Sequence, residues 1–155
     1  SIHASSHLIS VVFLGLVIYA VLRFIFRSDQ VDSNVLFASL CVYIMLGTLF
    51  AYLYAFIETI VPGSFHIAEE GLRNAAPLDI GGTQSVNTFY FSYVTMTTLG
   101  YGDIYPVSAV AKMTAALQSL LGQLYLAVLV ARLVGQHIAH SQAQRDKRQD
   151  QEKGQ

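Results

Sequence analysis

Residues 97–103 have the spacing of residue types that most suggests a chemical role. They read Thr-Thr-Leu-Gly-Tyr-Gly-Asp, so Gly100 and Gly102 lie on either side of Tyr101. Glycine has no Cβ atom and adopts positive φ without a steric penalty, so the pair allows a backbone that other residues resist. An ordinary turn is the alternative interpretation, and the surrounding elements decide between the two.

Side-chain chemistry is sparse in the rest of the sequence. We find no nucleophile with a base at an enzyme-like spacing, so we expect no catalytic activity and no cofactor. His66, Glu69 and Glu70 lack a second matching cluster, which favours a solvated loop over a metal site. His137 and His140 are more typical of surface histidines than of metal ligands.

The composition indicates a membrane protein. Hydrophobic residues make up 54% of the 155 residues and charged residues 12%, whereas soluble domains average roughly 45–50% and about 25%. The net charge of −1 and the single cysteine exclude a basic nucleic-acid-binding protein and a disulfide scaffold. We therefore expect a lipid bilayer and no nucleic acid as partner, with Cys41 as a buried structural thiol.

Three apolar runs are long enough to cross a bilayer. Leu8–Phe26 contains one charge, Arg23, and neither Val35–Ile57 nor Met113–Ala131 contains any. Nineteen residues span roughly 28 Å as a helix, close to the thickness of the hydrocarbon core. We therefore predict three transmembrane helices rather than buried helices of a soluble domain.

Basic residues orient these helices. Seven of the nine lie beside the end of the first helix, the start of the second or the end of the third: Arg23, Arg27, Arg132, Arg145, Lys147, Arg148 and Lys153. The positive-inside rule then predicts a multi-pass protein with a cytoplasmic C-terminus and an external stretch from Glu58 to Lys112. Because the first residue is not methionine and no basic segment precedes the first helix, we expect that the chain is either processed or cut from something longer, which could include an upstream transmembrane or sensor segment.

The external stretch has two parts. Pro62–Gly82 is rich in glycine, proline and small residues, which predicts a loop. From Gln84 to Met96 the chain is apolar and aromatic, but thirteen residues span only about 20 Å as a helix. A short apolar helix between two spanning helices predicts a re-entrant segment, capped at its start by Thr83 or Ser85.

This arrangement resembles the pore domain of tetrameric potassium channels of the bacterial type, whose filter usually reads Thr-Val-Gly-Tyr-Gly. Leu99 is the one core departure. The resemblance covers about Asn34–Gly135 and implies an all-α membrane fold: a two-helix pore domain with a re-entrant pore helix and filter, plus one extra N-terminal helix. Its implied parts are an N-terminal helix and linker (1–33), an outer helix (34–61), a turret (62–83), a pore helix (84–96), a filter (97–103), an inner helix (107–135) and a cytoplasmic tail (136–155).

The resemblance also implies a function. K⁺ would pass through a homotetramer in the cell (inner) membrane, bound by backbone carbonyls of a filter comprising Thr98, Leu99, Gly100, Tyr101 and Gly102. Leu99 and Tyr101 would point away from the pore, with Tyr101 hydrogen-bonding near the pore helix. A nonselective cation channel and a non-conducting scaffold or regulatory subunit remain alternatives.

Asp103 would lie at the outer mouth and bond behind the filter. Some family members pair this aspartate with a pore-helix glutamate, but the corresponding residue here is Val94, so that carboxylate pair is absent.

Inner-helix positions imply a cavity and a gate. Gly122 fits either a hinge or close packing. Gln123, Leu126, Val130 and Val134 would line the cavity or gate, although Gln123 could instead bond a neighbouring helix. Gln118 would pack behind the filter, and the tail after residue 135 would be frayed helix or disordered. We find no voltage-sensing or nucleotide-binding motif in the sequence.

Overall fold

The computed structural model describes residues 2–27, 33–67 and 83–153. Within these ranges the chain forms four α-helices and one two-stranded sheet. In chain order they are α1 (Ile2–Arg27), α2 (Ser33–Ile60), β1 (Phe65–Ile67), α3 (Thr83–Met96), β2 (Ile104–Pro106) and α4 (Ala109–Lys153).

Three of the helices are long and apolar enough to span a membrane. The candidate spans are Ser5–Ile25 in α1, Val35–Ile60 in α2 and Ala109–Gly135 in α4. α3 has 14 residues and is about 21 Å long, too short to cross a bilayer. The all-α membrane architecture predicted from the sequence is confirmed.

α4 differs from the predicted inner helix at both ends. It begins at Ala109 rather than 107, because Ser108 is its N-cap and accepts a hydrogen bond from the amide of Ala111 at 3.2 Å. It continues to Lys153 instead of ending at 135. Residues 136–153 contain neither glycine nor proline, so no helix-breaking residue stops the backbone there, and of the two predicted alternatives for the tail the structure has the helical one.

A first apolar cluster joins α2, α3 and α4. Phe50, Tyr54 and Ile57 of α2 pack with Phe91 of α3 and Ala111 of α4, and all five are buried. The Tyr54 and Phe91 rings meet edge to face with centroids 5.0 Å apart. This cluster fixes α3 against the two spanning helices on either side of it in the chain.

A second cluster joins α1 to α2. Ile18 and Ile25 of α1 are buried against Val35 and Val42 of α2, and Tyr125 of α4 packs on the same cluster. The extra N-terminal helix is therefore part of the packed structure, and it lies antiparallel to α2 because the end of α1 meets the start of α2.

The small sheet connects the two ends of the loop region. β1 and β2 are antiparallel, with His66 opposite Tyr105. Next to it, the Val107 amide donates to the Ser64 carbonyl at 2.7 Å. The chain that leaves residues 97–103 is thereby attached to the end of α2.

Several predictions need correction or lie outside the described residues. Cys41 is exposed on α2 and not buried, because it lies on a helix face that no other described element covers. Most of the predicted turret, the linker residues 28–32 and the pair Glu69 and Glu70 lie outside the described residues. The side chains of Thr83, Ser85, His137 and His140 do as well.

Candidate ion-binding site

Along residues 98–102 the backbone φ angle alternates between positive and negative values. Thr98, Gly100 and Gly102 have φ of 59°, 58° and 81°, and no other non-glycine residue among those described has positive φ, so Leu99 and Tyr101 do not. Alternation of right- and left-handed residues turns successive N–H groups to one side of the chain, which leaves the carbonyl oxygens on the other. Within the described structure no group donates a hydrogen bond to the carbonyls of residues 98–102. Carbonyls without protein donors require water or a cation as partner.

Thr98 acquires its left-handed conformation as the cap of α3. The Leu99 amide donates to the Val94 carbonyl at 2.9 Å, and the Thr98 amide donates to the Thr95 carbonyl at 3.1 Å. These two bonds form a Schellman motif, in which the residue after the C-cap is left-handed and usually glycine. The helix end therefore starts the alternation, and the two glycines continue it.

The two glycines have open surroundings. A Cβ atom added to Gly100 or Gly102 would meet no heavy atom within 4 Å. The need for glycine in the isolated chain is therefore a matter of backbone conformation and not of crowding.

Asp103 is hydrogen-bonded to α3 through a residue that sequence reasoning missed, and its position at the outer mouth behind the filter stays a prediction. The Tyr90 hydroxyl donates to Asp103 Oδ2 at 2.8 Å, and the Ile104 amide donates to Oδ1 at 3.0 Å. The hydrogen bond to Asp103 raises the pKa of the Tyr90 hydroxyl, which therefore stays a proton donor. Tyr90 is one helical turn before Val94, and that spacing is the signal that could have identified it.

Gln118 is fully buried in a polar network with residues of α2 and α3, and its place behind the filter stays a prediction. It accepts from the Tyr54 hydroxyl at 2.5 Å, and its Nε2 donates to Ser92 Oγ at 2.7 Å and to the Ser92 carbonyl at 3.0 Å. Ser92 Oγ donates to the Gly47 carbonyl at 2.7 Å. This network joins α2, α3 and α4, and a satisfied buried network fixes one relative position of its members.

Gly122 lies directly against the end of α3. A Cβ atom at this position would be 2.8 Å from Met96 Cγ and 2.9 Å from the Met96 carbonyl oxygen. The close-packing role is therefore supported by the structure, and a hinge role stays a prediction. Gln123 is exposed, and its Nε2 reaches the same Met96 carbonyl at 3.5 Å.

Tyr101 and the three apolar gate residues are less constrained. The Tyr101 side chain is 69% exposed in the single chain, and within the described part it makes none of the hydrogen bonds expected of it. Leu126, Val130 and Val134 are spaced by four residues on α4, and Val130 and Val134 are exposed. Their exposure is compatible with a face that lines a cavity between copies.

The described residues contain no group of three or more His, Cys, Asp and Glu side chains that could hold a metal ion. The carbonyls of residues 98–102 as cation ligands stay a prediction.

Part of this chain is similar to known ion channels. Residues 74–136 match the family model described as ion channel. The A-type voltage-gated potassium channel KCND3 of Rattus norvegicus is 40% identical over 68 residues, 43% of this chain and 10% of that protein. The potassium voltage-gated channel protein Shal of Drosophila melanogaster is 36% identical over 83 residues, 50% of this chain and 14% of that protein.

A regulatory protein is also among the relatives. The voltage-gated potassium channel regulatory subunit KCNF1 of Rattus norvegicus is 34% identical over 58 residues, 37% of this chain and 12% of that protein. The chain thus spans between a tenth and a seventh of the length of these relatives. The predicted resemblance to the potassium channel pore-domain family is confirmed.

Proposed function

Because this multi-pass membrane protein carries a pore domain of the potassium channel family, we propose that it is a subunit of a potassium-selective channel. Four copies would surround one axis, and K⁺ would cross the membrane passively between them. The alternating backbone at Thr98, Gly100 and Gly102 is the observation that carries this proposal. It supplies a row of carbonyl oxygens on one side of the chain.

Four copies follow from the chemistry of dehydration. A monovalent cation gives up its water only if the pore replaces the lost oxygens on all sides. One chain provides one row of carbonyls, so a closed ring needs further copies, and rotational symmetry supplies them from a single gene product. A purified conducting species with the mass of a dimer would contradict this arrangement.

The basic residues support an orientation for the assembly. Arg23 and Arg27 lie at the end of α1, and Arg132 lies in the last turns of the α4 span. We place these ends and the C-terminus in the cytoplasm of a cell whose inner membrane holds the channel. Asp103 and residues 97–103 then face the outside, and the proposal requires no cofactor.

Reconstitution in liposomes tests the proposal. We would record currents across a bilayer with K⁺ on one side and Na⁺ on the other. The proposal predicts a reversal potential close to that of K⁺. A reversal potential near zero would instead support a nonselective cation channel.

A regulatory subunit is the second candidate. It is favoured by the similarity to KCNF1, which is named as a regulatory subunit. A protein of this type would assemble and reach the membrane but conduct nothing on its own. Complete absence of current from correctly assembled protein under all conditions would support this candidate over the channel.

A further inference from the structure

Arg132 is a charged residue inside a membrane-spanning segment. It is the one charge between Met113 and Gly135, within the candidate span Ala109–Gly135. A cationic side chain near the end of a spanning helix either extends to the interface or takes a polar partner within the protein. Its Nη2 donates to the carbonyl oxygen of Ile25 at 2.6 Å.

The partner carbonyl belongs to the end of α1. Ile25 is in the last turn of that helix, which ends at Arg27, and the last four carbonyls of a helix have no partner within it. A cation at a helix C-terminus also interacts favourably with the helix dipole. Arg132 therefore caps the extra helix from the side of α4.

Arg132 lies on the side of α4 opposite the predicted gate. Two residues along an α-helix rotate by about 200°, so Arg132 faces away from Val130 and Val134. It shares its own face with Gln118 and Tyr125, seven and fourteen residues before it. Each of these three side chains bonds another element.

The three bonds divide α4 at Gly122. Above it, Gln118 bonds Ser92 of α3 and Tyr54 of α2. Below it, the Tyr125 hydroxyl donates to the Ser39 carbonyl of α2 at 2.6 Å, and Arg132 bonds α1. A bend of α4 near Gly122 must therefore stretch or break the two lower bonds, and the α1 bond is the farther from the bend.

We propose that α1 controls the pore by holding the lower half of α4 through the Arg132–Ile25 bond. Arg132 is a positioning residue: it touches no permeant ion and acts through the helix that carries Val130 and Val134. The inference rests on the proposed channel function and adds a gating role for α1, which lies outside the pore domain.

The packing beside the bond leaves room for movement. A cleft of about 330 Å³ lies between α1, α2 and α4, and Leu22, Ile25, Leu129 and Arg132 are among its lining residues. The cleft gives the Arg132 side chain and the lower half of α4 space in which to move relative to α1.

Two variants and a control test the proposal in the full reconstituted protein. Arg132→Gln shortens the side chain and removes the charge, whereas Arg132→Lys keeps a cationic donor. Lys112→Gln removes an exposed basic residue at the other end of the same helix. We would measure single-channel open probability, and hydrogen exchange of the backbone amides in residues 20–27 and 129–135.

Arg132→Gln should change the open probability by about tenfold or more, because hydrogen bonds from charged groups are among the stronger ones. Arg132→Lys should recover part of the change, and Lys112→Gln should behave like the unchanged channel. Exchange should become faster in both amide segments of Arg132→Gln. Unchanged open probability in Arg132→Gln, or changed open probability with unaltered exchange in residues 20–27, would overturn the proposal.

The outcome is separable from that of the channel proposal. If the unchanged protein conducts no K⁺, the channel function fails and with it the gating role, whatever the exchange data show. If it conducts K⁺ selectively but its open probability is the same in Arg132→Gln, the channel function stands and only the α1 inference is lost.

Discussion

At the scale of single residues, the left-handed positions of the ion-binding segment have two origins. Thr98 is held there by the hydrogen bonds that end α3, whereas Gly100 and Gly102 adopt positive φ because they lack a Cβ atom. The helix end and the glycines thus act together, because the capping motif at the end of α3 is followed directly by the row of carbonyls.

Part of this arrangement could be predicted from the sequence. Gly100, Gly102 and Asp103 were identifiable, since glycine spacing and a following carboxylate are visible in the residues themselves. Tyr90 and the capping role of Thr98 were not. Both depend on where the last turn of α3 ends relative to the following chain, and a one-residue shift would separate Tyr90 from Asp103.

Removing the Tyr90 hydroxyl should make K⁺ current through the proposed filter decay faster. In Tyr90→Phe the bond to Asp103 is lost, so K⁺ current should decay a few-fold faster during sustained conduction. Tyr105→Phe is the control, because its exposed hydroxyl makes no hydrogen bond within the described residues. Patch recordings with long depolarising steps measure the decay, and equal decay in Tyr90→Phe and the unchanged channel would contradict the role of this bond.

External pH offers a second readout of the same bond. The pKa of Tyr90 is raised from its ordinary value of 10.0. The bond is therefore present below that ordinary value and is lost only as the pH rises through the raised one. Current decay should not change through titration of Tyr90 between about pH 6 and 9; a Tyr90-dependent change in that range would show that the donor ionises earlier.

At the scale of elements, α4 is organised by its polar side chains. Gln118, Tyr125 and Arg132 recur every seven residues and bond three different partners along one face. The sequence alone allowed a prediction for Gln118, behind the filter. It gave no partners for Tyr125 and Arg132, because those partners are backbone carbonyls of α2 and α1, and any residue type supplies a carbonyl.

Breaking the buried network should destabilise the fold. Gln118→Leu leaves the buried Tyr54 hydroxyl without its partner, at a cost of about 1–3 kcal/mol for an unsatisfied group. It also removes the donor to Ser92, which keeps its bond to the Gly47 carbonyl. Gln123→Leu is a matched control on the same helix, since Gln123 is exposed and its one contact is 3.5 Å long. Thermal unfolding in detergent should show a lower midpoint for Gln118→Leu only, and equal midpoints would refute the role of the network.

The packing role of Gly122 can be tested by comparison with Gly135, the other glycine of α4. Gly122→Ala places a Cβ atom within 2.9 Å of the Met96 carbonyl oxygen, whereas Gly135→Ala meets nothing within 4 Å. Alanine favours helices over glycine by about 1 kcal/mol, so Gly135→Ala should keep or raise the unfolding temperature and Gly122→Ala should lower it. A Gly122→Ala protein of unchanged stability but altered gating would favour the hinge role instead.

The apolar face of α4 is the proposed gate. Val130→Asp or Val134→Asp should wet and charge a constriction that closes by excluding water, and so raise the open probability without changing selectivity. Val130→Leu and Val134→Leu are the controls, because they keep the same positions apolar and uncharged. If the aspartate variants gate like the unchanged channel, the gate lies elsewhere, for example at the filter.

At the scale of the whole molecule, the apolar runs predicted the three spanning helices but not their contacts. Length and hydropathy place a segment in the bilayer, whereas packing depends on side-chain shape along both partners. The burial of Ile18 and Ile25 against α2 therefore could not be predicted. These contacts are what make α1 part of the proposed channel. The continuation of α4 to Lys153 was open to prediction, because no glycine or proline interrupts residues 136–153.

The central claim is that left-handed backbone at Gly100 makes the assembled pore selective. Each subunit of Gly100→Ala would bear a conformational penalty of about 1–2 kcal/mol, repeated around the ring. Gly63→Ala is a matched control, since Gly63 also has positive φ and open surroundings but lies outside the filter. The most direct test is the reversal potential with K⁺ on one side and Na⁺ on the other. It should stay near the K⁺ potential in the unchanged and Gly63→Ala channels and move toward zero in Gly100→Ala; K⁺ selectivity preserved in Gly100→Ala would contradict the account.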